Sequence, residues 1–541
     1  MKSVMDHSFS QVPSAEIPRS SFDRSHGYKT TFDASYLIPV FHDEVLPGDT
    51  ITINPTLFAR LNTPIYPIMD NMYLDLHFFF VPYRQIWDNF RKFCGEQTDP
   101  GDSIDYTVPV CNVSATSVAI TIGKLGDYFG LPIGKDSVEI SALPFRAFRH
   151  IYNEWYRDQN LVDSLDFNTN DGPDNLAFTG ATYAPPKRGK RHDYFTSCTP
   201  WLQKGDSVEM PLSGEAWVRG IARMNAPWTI TTGTVEESGQ VDDDYGTTAA
   251  STGSTNYFAV EQDGATGYPK IRADLSSATA ATINELRQAF QIQRLLERDA
   301  RSGTRYSEIV RAHFGVQFLD VTYRPEFLGG MSAPIQIQQV PQTSATGTAT
   351  DAENQKGSLA AYGTAVISEG GITKSFTEHG IVLGILSARA DLTYQQGLER
   401  MWSRQTRYDF YWPALAHLGE GAVLVKELYC QDAATDTGAT GTPDNERVFG
   451  YQERWAEYRY KPSKITGLMR SAAATPLDSW HLSQEFGSLP SLNQAFIEED
   501  PPMDRVVAVT TEPDFLLDCY FQYRCARPMP LFSVPGLIDH L

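Results

Sequence analysis

The stretch that most constrains the fold of this chain runs from residue 72 to residue 82. Apolar side chains occupy alternate positions there, at Met72, Leu74, Leu76, Phe78 and Phe80. A period of two is typical of a β-strand with one buried face. Between Phe78 and Val81 every residue is apolar, so we expect that end of the strand to be covered on both faces. Pro82 then ends the ladder, because proline has no N–H to donate.

A short helix is predicted directly after this strand. Ile86, Phe90 and Phe93 follow one another at the spacing i, i+4 and i+7, with Trp87 beside them. This spacing puts the three side chains on one face of an amphipathic helix. A long apolar strand that leads into a packed helix is typical of the centre of a large β-domain.

Further strand patterns lie towards both ends of the chain. They occur at residues 36–41, 50–54, 381–386, 422–428, 506–510 and 515–523. Polar stretches rich in Thr, Ser, Gly and Ala interrupt the chain at residues 229–269, 340–371 and 431–446. Many strands, few helices and long insertions predict a mainly β fold of the sandwich or jelly-roll type.

Two longer helices are each predicted to carry arginines opposite an apolar stripe. In the first, over residues 141–160, the polar side consists of Arg146, Arg149, Asn153 and Arg157. In the second, over residues 283–302, it consists of Arg287, Arg294, Arg298 and Arg301. Thr282 and Glu285 form a capping box at the start of the second helix. Helix surfaces are charged as a rule, so a solvated face is the alternative to a face that meets nucleic acid.

The composition narrows the class of protein. A net charge of −21 argues against a protein that coats nucleic acid over its whole surface, although it allows one basic face. The six cysteines form no C-x-x-C pair, which favours reduced thiols over a zinc site or a disulfide scaffold. No apolar run approaches the length of a membrane span, and the N-terminus has no apolar segment typical of a signal peptide. We therefore expect no membrane insertion.

One cluster of basic residues, which we call the basic run, spans residues 187–192. Its sequence is Lys187-Arg188-Gly189-Lys190-Arg191-His192. Side chains of like charge repel one another unless an anion lies nearby. One interpretation is contact with phosphates, helped by Tyr183, Tyr194 and Phe195 stacking on unpaired bases. The other is a solvated loop, or a subunit contact with acidic neighbours.

The sequence contains no recognised catalytic motif. The patterns G-x-S-x-G, H-E-x-x-H and G-x-x-x-x-G-K-[ST] and the Rossmann glycine pattern are all absent. Glu498, Glu499 and Asp500, with Asp504, could hold a cation through carboxylate oxygens, although a solvated acidic turn explains them as well. We predict no catalytic residue, no cofactor and no metal site.

Several long stretches match one known family in that family's own order. They are residues 19–50, 59–90, 143–161, 188–205, 284–316, 324–330, 373–415, 448–467, 496–509 and 527–541. They include ARLNTPIYPIMDNMYLDLHFFFVPYRQIWDNF and RPMPLFSVPGLIDHL. In these stretches the chain resembles the major capsid proteins of the Microviridae, and specifically those of the gokushoviruses, which are single-stranded DNA bacteriophages.

The resemblance implies a fold and a domain organisation. The fold would be mainly β, an eight-stranded antiparallel jelly roll of the viral capsid type with long loop insertions and a few helices. Residues 1–21 would form an N-terminal arm and residues 22–541 a single elaborated capsid domain. Residues 229–281 would form a surface protrusion loop inserted within it. Residues 229–269 contain no Lys or Arg, so this insertion is also distinct in composition.

The resemblance also implies a function. The chain would be a structural capsid protein without catalytic activity, which assembles into a T=1 icosahedral shell around a circular single-stranded DNA genome. Its partners would be further copies of itself, the DNA, other virion or scaffolding proteins and a receptor on the host surface. It would be located in the virion, after assembly in the cytoplasm of a bacterial host.

The resemblance also implies that basic residues of this chain contact the DNA. They are Lys187, Arg188, Lys190, Arg191, Arg287, Arg294, Arg298 and Arg301. The alternative from another class is a carbohydrate-binding or carbohydrate-cleaving jelly-roll protein, in which aromatic rings would stack on sugars and carboxylates would act as acid and base.

Overall fold

The described part of the chain divides into a main unit and an inserted unit. The computed structural model describes residues 18–112, 120–135, 139–166, 168–174, 184–208, 217–219, 221–224, 257–260, 272–274, 283–317, 322–344, 356–368, 370–432, 436 and 443–532. The main unit comprises Met1–Leu202 and Thr304–Leu541, and the inserted unit comprises Gln203–Gly303. Residues 1–17 of the predicted arm and most of the predicted protrusion loop at 229–281 lie outside the described residues.

The strands are numbered in chain order. They are β1 (Ser20–Asp23), β2 (His26–Phe32), β3 (Ile38–Val45), β4 (Thr50–Leu61), β5 (Met72–Pro82), β6 (Val110–Asn112), β7 (Glu139–Ser141), β8 (Trp217–Arg219), β9 (Ile221–Met224), β10 (Tyr257–Val260), β11 (Arg272–Asp274), β12 (Glu326–Pro334), β13 (Gln336–Pro341), β14 (Leu359–Ile367), β15 (Ile372–Ser375), β16 (Gly380–Ala390), β17 (Thr393–Tyr394), β18 (Glu420–Leu424), β19 (Val448–Glu453), β20 (Ser463–Lys464) and β21 (Phe515–Arg527).

Helices are short, with one exception. They are α1 (Tyr83–Ile86), α2 (Phe90–Phe93), α3 (Leu125–Tyr128), α4 (Leu143–Ile151), α5 (Ile283–Ser302), α6 (Tyr306–Phe314), α7 (Val425–Leu428) and α8 (Gln494–Ile497), and α4 continues as a π-helical turn over Tyr152–Tyr156. Short 3-10 turns lie at Arg400–Ser403, Arg407–Asp409, Pro413–Leu415, Asp444–Glu446, Ala456–Tyr458, Gly467–Met469, Asp478–Trp480 and Met503–Arg505. Within the described residues, no helix is long and apolar enough to cross a bilayer.

Two antiparallel sheets form the centre of the main unit. The first has the strand order β12-β5-β16-β3. The second has the order β1-β21-β4-β14-β13, with β2 also paired to β21 and β15 also paired to β4. Side chains from both sheets, such as Leu76, Ile53 and Phe521, belong to one cluster of buried apolar residues. The predicted mainly β fold is confirmed.

The apolar strand that opens the sequence analysis is β5, and it lies between β12 and β16. Leu74, Leu76 and Phe78 point into the core shared by the two sheets. Phe79 and Val81 point the other way and pack in a second buried cluster under α4. The expected cover on both faces at this end of the strand is therefore confirmed.

The single helix predicted after β5 is wrong. The chain forms two separate turns, α1 and α2, because Trp87 between them has an extended backbone with φ −150° and ψ 111°. The indole of Trp87 is fully buried and donates its N–H to the Asp171 carboxylate at 2.7 Å. Burying this one large side chain takes precedence over the regular helical spacing.

Two predicted strands differ from the structure. Over residues 422–428, β18 ends at Leu424 and the chain turns into α7. Residues 506–510 form no ladder, and Val507 makes only an isolated bridge to Pro64. Val506 and Val507 are nevertheless buried in the core cluster, so their apolar pattern reports side-chain burial rather than strand pairing.

Within the inserted unit, two small antiparallel pairs accompany one long helix. β8 pairs with β11, and β9 pairs with β10. α5 spans Ile283–Ser302 close to the predicted bounds, and of its described residues only Ala300 is buried. Thr282 of the predicted capping box lies outside the described residues. The Gly303 backbone has a φ of 100°, which is the left-handed conformation that favours glycine at a helix end.

Candidate nucleic-acid interface

The outer face of β5 changes character along the strand. Towards Pro82 it is apolar and lies under α4. Towards Met72 it carries Tyr73, Asp75 and His77, which alternate with the core residues. Because strand residues alternate between faces, these polar side chains lie on the side of the sheet that faces away from the core.

The basic run crosses this polar end and is fixed by main-chain hydrogen bonds. The Arg188 N–H donates to the Ser35 carbonyl, and the Lys190 N–H donates to the Ile497 carbonyl, each at 2.8 Å. The Glu499 N–H donates to the Arg188 carbonyl at 2.8 Å. The run is therefore an ordered segment held between the start of β3 and the end of α8.

Asp75 is the acceptor around which the cations gather. Its buried carboxylate accepts hydrogen bonds from Arg188 at 2.6 Å, Arg389 at 2.7 Å and Ser332 at 2.5 Å. Burial alone would raise the pKa of Asp75, but the hydrogen bonds from Ser332 and Arg389 and the charge of Arg188 lower that pKa below its ordinary value. Asp75 is therefore an anion that two arginines share.

The other cations of the run have different environments. Lys187 pairs with Asp500 at 2.8 Å and lies 5.7 Å from the centre of the Tyr36 ring. The Lys190 ammonium donates to the Phe496 carbonyl at 2.6 Å and the Gln484 amide at 3.0 Å. Burial of that ammonium lowers the pKa of Lys190 to about 8.

Arg191 is the most exposed cation of the basic run. Its side chain is 59% exposed, and its nearest carboxylate, Asp391, is 3.9 Å away. The guanidinium lies 5.6 Å from the centre of the Tyr73 ring. Arg191 is therefore the member of the run whose charge is most available to a ligand.

A cavity of about 470 Å³ opens beside the basic run. Its aromatic lining consists of His77, Phe79, Trp155, Tyr156 and Phe327. Its basic or potentially basic lining consists of Arg157, Arg188, Lys190, Arg191, His192 and Arg305. Asp158 is its one acidic lining residue. We call this site the basic cavity.

The polar groups of the floor are fixed before any ligand binds. The Tyr156 hydroxyl and His77 Nδ1 lie 2.8 Å apart, and their rings stack with centres 6.0 Å apart. Burial, with the nearby charge of Arg188, lowers the pKa of His77 to about 4. The imidazole is therefore neutral at pH 7 and contributes to the floor as an aromatic ring. An aromatic floor with a cationic rim suits a nucleotide, whose base can stack and whose phosphate is an anion.

The sequence of the chain matches one family over nearly its whole length. Residues 10–537 match the family described as capsid protein (F protein). The chain belongs to this capsid protein family. Three relatives are each named capsid protein VP1. That of Bdellovibrio phage phiMH2K is 46% identical over 98% of this chain and 97% of its own length. That of Chlamydia phage 1 is 44% identical over 99% of this chain and 98% of its own length. That of Spiroplasma virus 4 is 35% identical over 98% of this chain and 97% of its own length.

The family assignment confirms the resemblance to gokushovirus capsid proteins and decides the class of protein. Capsid proteins of this family are structural, so this capsid protein is not an enzyme. The carbohydrate-active alternative is not supported, because the matching family and all three relatives are named capsid proteins.

In this capsid protein two arginines of the first predicted stripe are buried. The Arg146 and Arg149 side chains are each about 1% exposed. Arg146 forms a two-pronged ion pair with Asp174, at 2.6 and 2.9 Å, and Arg149 donates to the Asp166 carbonyl. The interpretation of this stripe as a surface for nucleic acid is wrong at these two residues, because the segment 158–174 covers them. Arg157, from the same stripe, does line the basic cavity.

The second arginine stripe lies in the inserted unit. Arg287, Arg294, Arg298 and Arg301 of α5 are all exposed. Ile283, Phe290 and Leu295 on the same helix are also exposed, at 69%, 64% and 52%. The structure therefore brings Arg188, Lys190 and Arg191 together at one cavity of the main unit, while the four α5 arginines belong to the inserted unit. Contact of either set with DNA stays a prediction.

Sequence reasoning missed one member of this region, Arg305, and misjudged the environment of another, Glu499. Arg305, next to α6, lines the cavity and donates to the Asn153 and Arg157 carbonyls at 3.1 and 3.3 Å. Glu499 is only 3% exposed and accepts the Ala390 N–H at 2.6 Å, so the solvated acidic turn is wrong at this residue. Burial raises the pKa of Glu499 to about 7. Arg305 is a single cation among polar residues, which is an ordinary surface pattern, so no sequence signal marked it. The acidic cluster around Glu499 was visible in the sequence, but the burial of Glu499 was not.

Proposed function

We propose that this chain is the major capsid protein of a single-stranded DNA phage. Copies of it assemble into a T=1 icosahedral shell that encloses a circular genome, in the cytoplasm of a bacterial host and with the help of other virion or scaffolding proteins. The observation that carries the proposal is the match over nearly the full length of three proteins named capsid protein VP1.

We propose further that the two central sheets form a viral jelly roll. The pairing of eight strands supports this, and these strands are β2, β3, β4, β5, β12, β14, β16 and β21. If they are lettered B to I in chain order, the second sheet has the order B-I-D-G and the first has the order C-H-E-F. This is the arrangement of two interlocked Greek keys. β1, β13 and β15 extend the second sheet.

In this proposal the basic cavity receives one nucleotide of the packaged strand. Support comes from five aromatic lining residues and six basic or potentially basic ones, against one acidic residue, in a chain whose net charge is −21. Stacking on an aromatic floor needs an unpaired base, which a single strand offers and a duplex does not. The arginines of α5 are a second proposed DNA contact.

Residues 229–281 are the proposed protrusion and the proposed site of host attachment. Support comes from composition alone, since residues 229–269 carry seven acidic residues and no Lys or Arg. An acidic insertion facing outwards and arginines facing inwards would separate charge across the shell wall, with the phosphates on the basic side.

Assembly is tested by expressing the chain in bacteria with and without the other phage proteins. We expect closed particles of T=1 size by cryo-electron microscopy, and nuclease-protected circular DNA in particles taken from infected cells. A protein that stays monomeric at every salt concentration and pH, even with the phage partners present, would contradict the shell.

The DNA contact is tested at Arg191, because its exposed side chain is not needed to pair a buried carboxylate. Arg191→Glu should lower the affinity of the unassembled protein for an oligodeoxynucleotide. It should also reduce the slope of log K against log salt by about 0.7, the loss of one phosphate contact to a single strand. Lys29→Glu is the control, since Lys29 is 76% exposed and does not line the cavity. An unchanged slope in Arg191→Glu would remove the basic cavity from the DNA interface.

A further inference from the structure

A second groove of the main unit, with a volume of about 520 Å³, has a different character from the basic cavity. Trp402 and Tyr460 at this groove are 68% and 45% exposed. Lys461, Lys464 and Arg470 also line it. We call this site the lysine groove. Large exposed aromatic rings beside cations are typical of residues that dominate protein–protein contacts.

The lysine groove has more positive charge than its own carboxylates neutralise. Lys461 and Lys464 both pair with Glu399, at 2.6 and 2.7 Å, so one carboxylate serves two ammonium groups. Arg470 is exposed and makes no ion pair within the described part of the chain. The rim of the groove therefore has an excess of positive charge available to an outside partner.

Arginine–aromatic stacks lie close in sequence to residues that line this groove. The Arg404 guanidinium lies 4.5 Å from the centre of the Tyr458 ring and pairs with Glu457 at 3.0 Å. The Arg407 guanidinium lies 4.7 Å from the centre of the Trp412 ring. Stacked arginines and aromatic rings lose little further freedom when a partner binds, so such a surface is preorganised for contact.

A surface of opposite charge lies elsewhere on the main unit, at residues 96–105. We call it the acidic segment. It contains Glu96, Asp99, Asp102 and Asp105, and no Lys or Arg occurs between Lys92 and Lys124. Glu96 pairs with Arg91 at 3.3 Å, but the three aspartates make no ion pair among the described residues. Ile104 in this segment is 47% exposed.

The acidic segment has a defined local shape. The Asp102 carboxylate accepts the N–H groups of Thr98 and Asp99, at 3.2 and 3.3 Å. This turn leaves the Asp99 and Asp105 carboxylates free for an outside partner. In the sequence of this segment the exposed Ile104 lies between Asp99 and Asp105.

We propose that the acidic segment of one copy docks into the lysine groove of a second copy. Both surfaces are exposed, and the part of the chain that the structure describes supplies no partner for either. Ile104 is the apolar anchor against Trp402, while Asp99 and Asp105 meet the excess cations of the rim. Because the two surfaces differ, the contact is head-to-tail, the type that closes copies into rings. The inference rests on the proposed shell, in which such rings surround symmetry axes.

A second copy fits the lysine groove better than nucleic acid does. Three carboxylates line this groove, namely Glu399, Glu427 and Glu457, whereas one lines the basic cavity. Four cations also line the groove, namely Arg400, Lys461, Lys464 and Arg470, so its excess of positive charge is small. A segment with two aspartates suits this small excess, whereas a phosphate backbone needs more cations than the groove has left over.

The test is a charge swap across the contact. Lys461→Glu with Lys464→Glu on the groove, or Asp99→Lys with Asp105→Lys on the segment, should each lower the yield of shells about tenfold or more. The chain with all four substitutions should recover most of that yield, because opposite charges meet again. Glu139→Lys with Glu512→Lys is the control for a change of net charge and should assemble normally. Thermal unfolding of the unassembled proteins checks that each variant folds.

Shell yield is measured by gradient sedimentation with electron microscopy of the particle fraction. Normal assembly of either two-residue variant would overturn the contact. The contact would also be overturned if the four-residue variant gave no higher yield of shells than the lower-yielding of the two two-residue variants. If the groove variant assembles normally but packages less DNA, the groove belongs to the nucleic acid and the inference is wrong. If the wild-type chain forms no shells, the proposed function fails first, and the contact fails with it.

Discussion

The buried ion pair between Arg146 and Asp174 allows one prediction to be worked out in full. Arg146 lies in α4 with a side chain about 1% exposed. Its guanidinium donates to Asp174 at 2.6 and 2.9 Å, to the Ile86 carbonyl at 3.1 Å and to the Asn170 carbonyl at 2.9 Å. One side chain thus connects α4 to α1 and to the segment before Asp174.

The expected magnitude follows from what each substitution leaves behind. Arg146→Met leaves the Asp174 carboxylate buried without its counter-charge, and breaking a buried pair in this way costs about 3–5 kcal/mol. We therefore expect the free energy of unfolding to fall by about 4 kcal/mol. Adding Asp174→Leu removes the isolated charge, so the double variant should lose only about 2 kcal/mol, for the two main-chain carbonyls left without a donor.

The assay is urea unfolding of the unassembled protein, followed by tryptophan fluorescence. Arg60→Met is the control, because Arg60 lies on the exposed side of β4 and should change stability by less than about 0.5 kcal/mol. If Arg146 acted instead through DNA, Arg146→Met would unfold like wild type and package less DNA. A loss below about 1 kcal/mol, or a double variant that costs the sum of the two single ones, would refute the reasoning.

Two further predictions concern the ionisation of Glu499 and the space around Gly397. The pKa of Glu499 in the folded protein is about 7, above the ordinary value of 4.5. The contribution of the Glu499 carboxyl group to the free energy of unfolding is therefore fully present below pH 4.5 and is lost as the pH rises through 7. The free energy of unfolding of wild type, compared with that of Glu499→Gln, should therefore fall by about 3 kcal/mol between pH 4.5 and pH 8. Urea unfolding of both proteins at the two pH values measures this change. A difference between the two proteins that does not change with pH would contradict the prediction. Gly397→Ala should destabilise the protein by about 3 kcal/mol or more, because the added methyl carbon would lie 2.0 Å from the Glu427 carbonyl oxygen. Gly487→Ala, which has open space at that position, is the matched control, and equal thermal stability of the two variants would contradict the packing argument.

The sheet could be predicted from the sequence where neighbouring residues carry the pattern. β5 was recognisable because the alternation at Leu74, Leu76 and Phe78 depends only on which side of a strand each residue faces. The end of α5 was recognisable for a similar local reason, since Gly303 adopts the left-handed backbone that favours glycine at a helix end.

The candidate site could be predicted only in part, because its contacts join distant parts of the chain. Helical spacing put Arg146 and Arg149 on the polar side of α4, but it could not reveal that the segment 158–174 covers that side. Likewise, the basic run was visible as a charge cluster, while its acceptor Asp75 lies 113 residues earlier in the sequence. Which cation is exposed, such as Arg191, depends on these distant partners and not on the run itself.

The division of the chain at Gln203 and Gly303 has a consequence for how such proteins diversify. Every described strand of the two central sheets comes from outside that segment, and β8 to β11 pair only with one another. Selection can therefore lengthen, shorten or replace the segment without shifting the register of any strand in the sheets. We expect the inserted unit to change rapidly between lineages while the sheets change slowly, so that one chain records two different evolutionary rates.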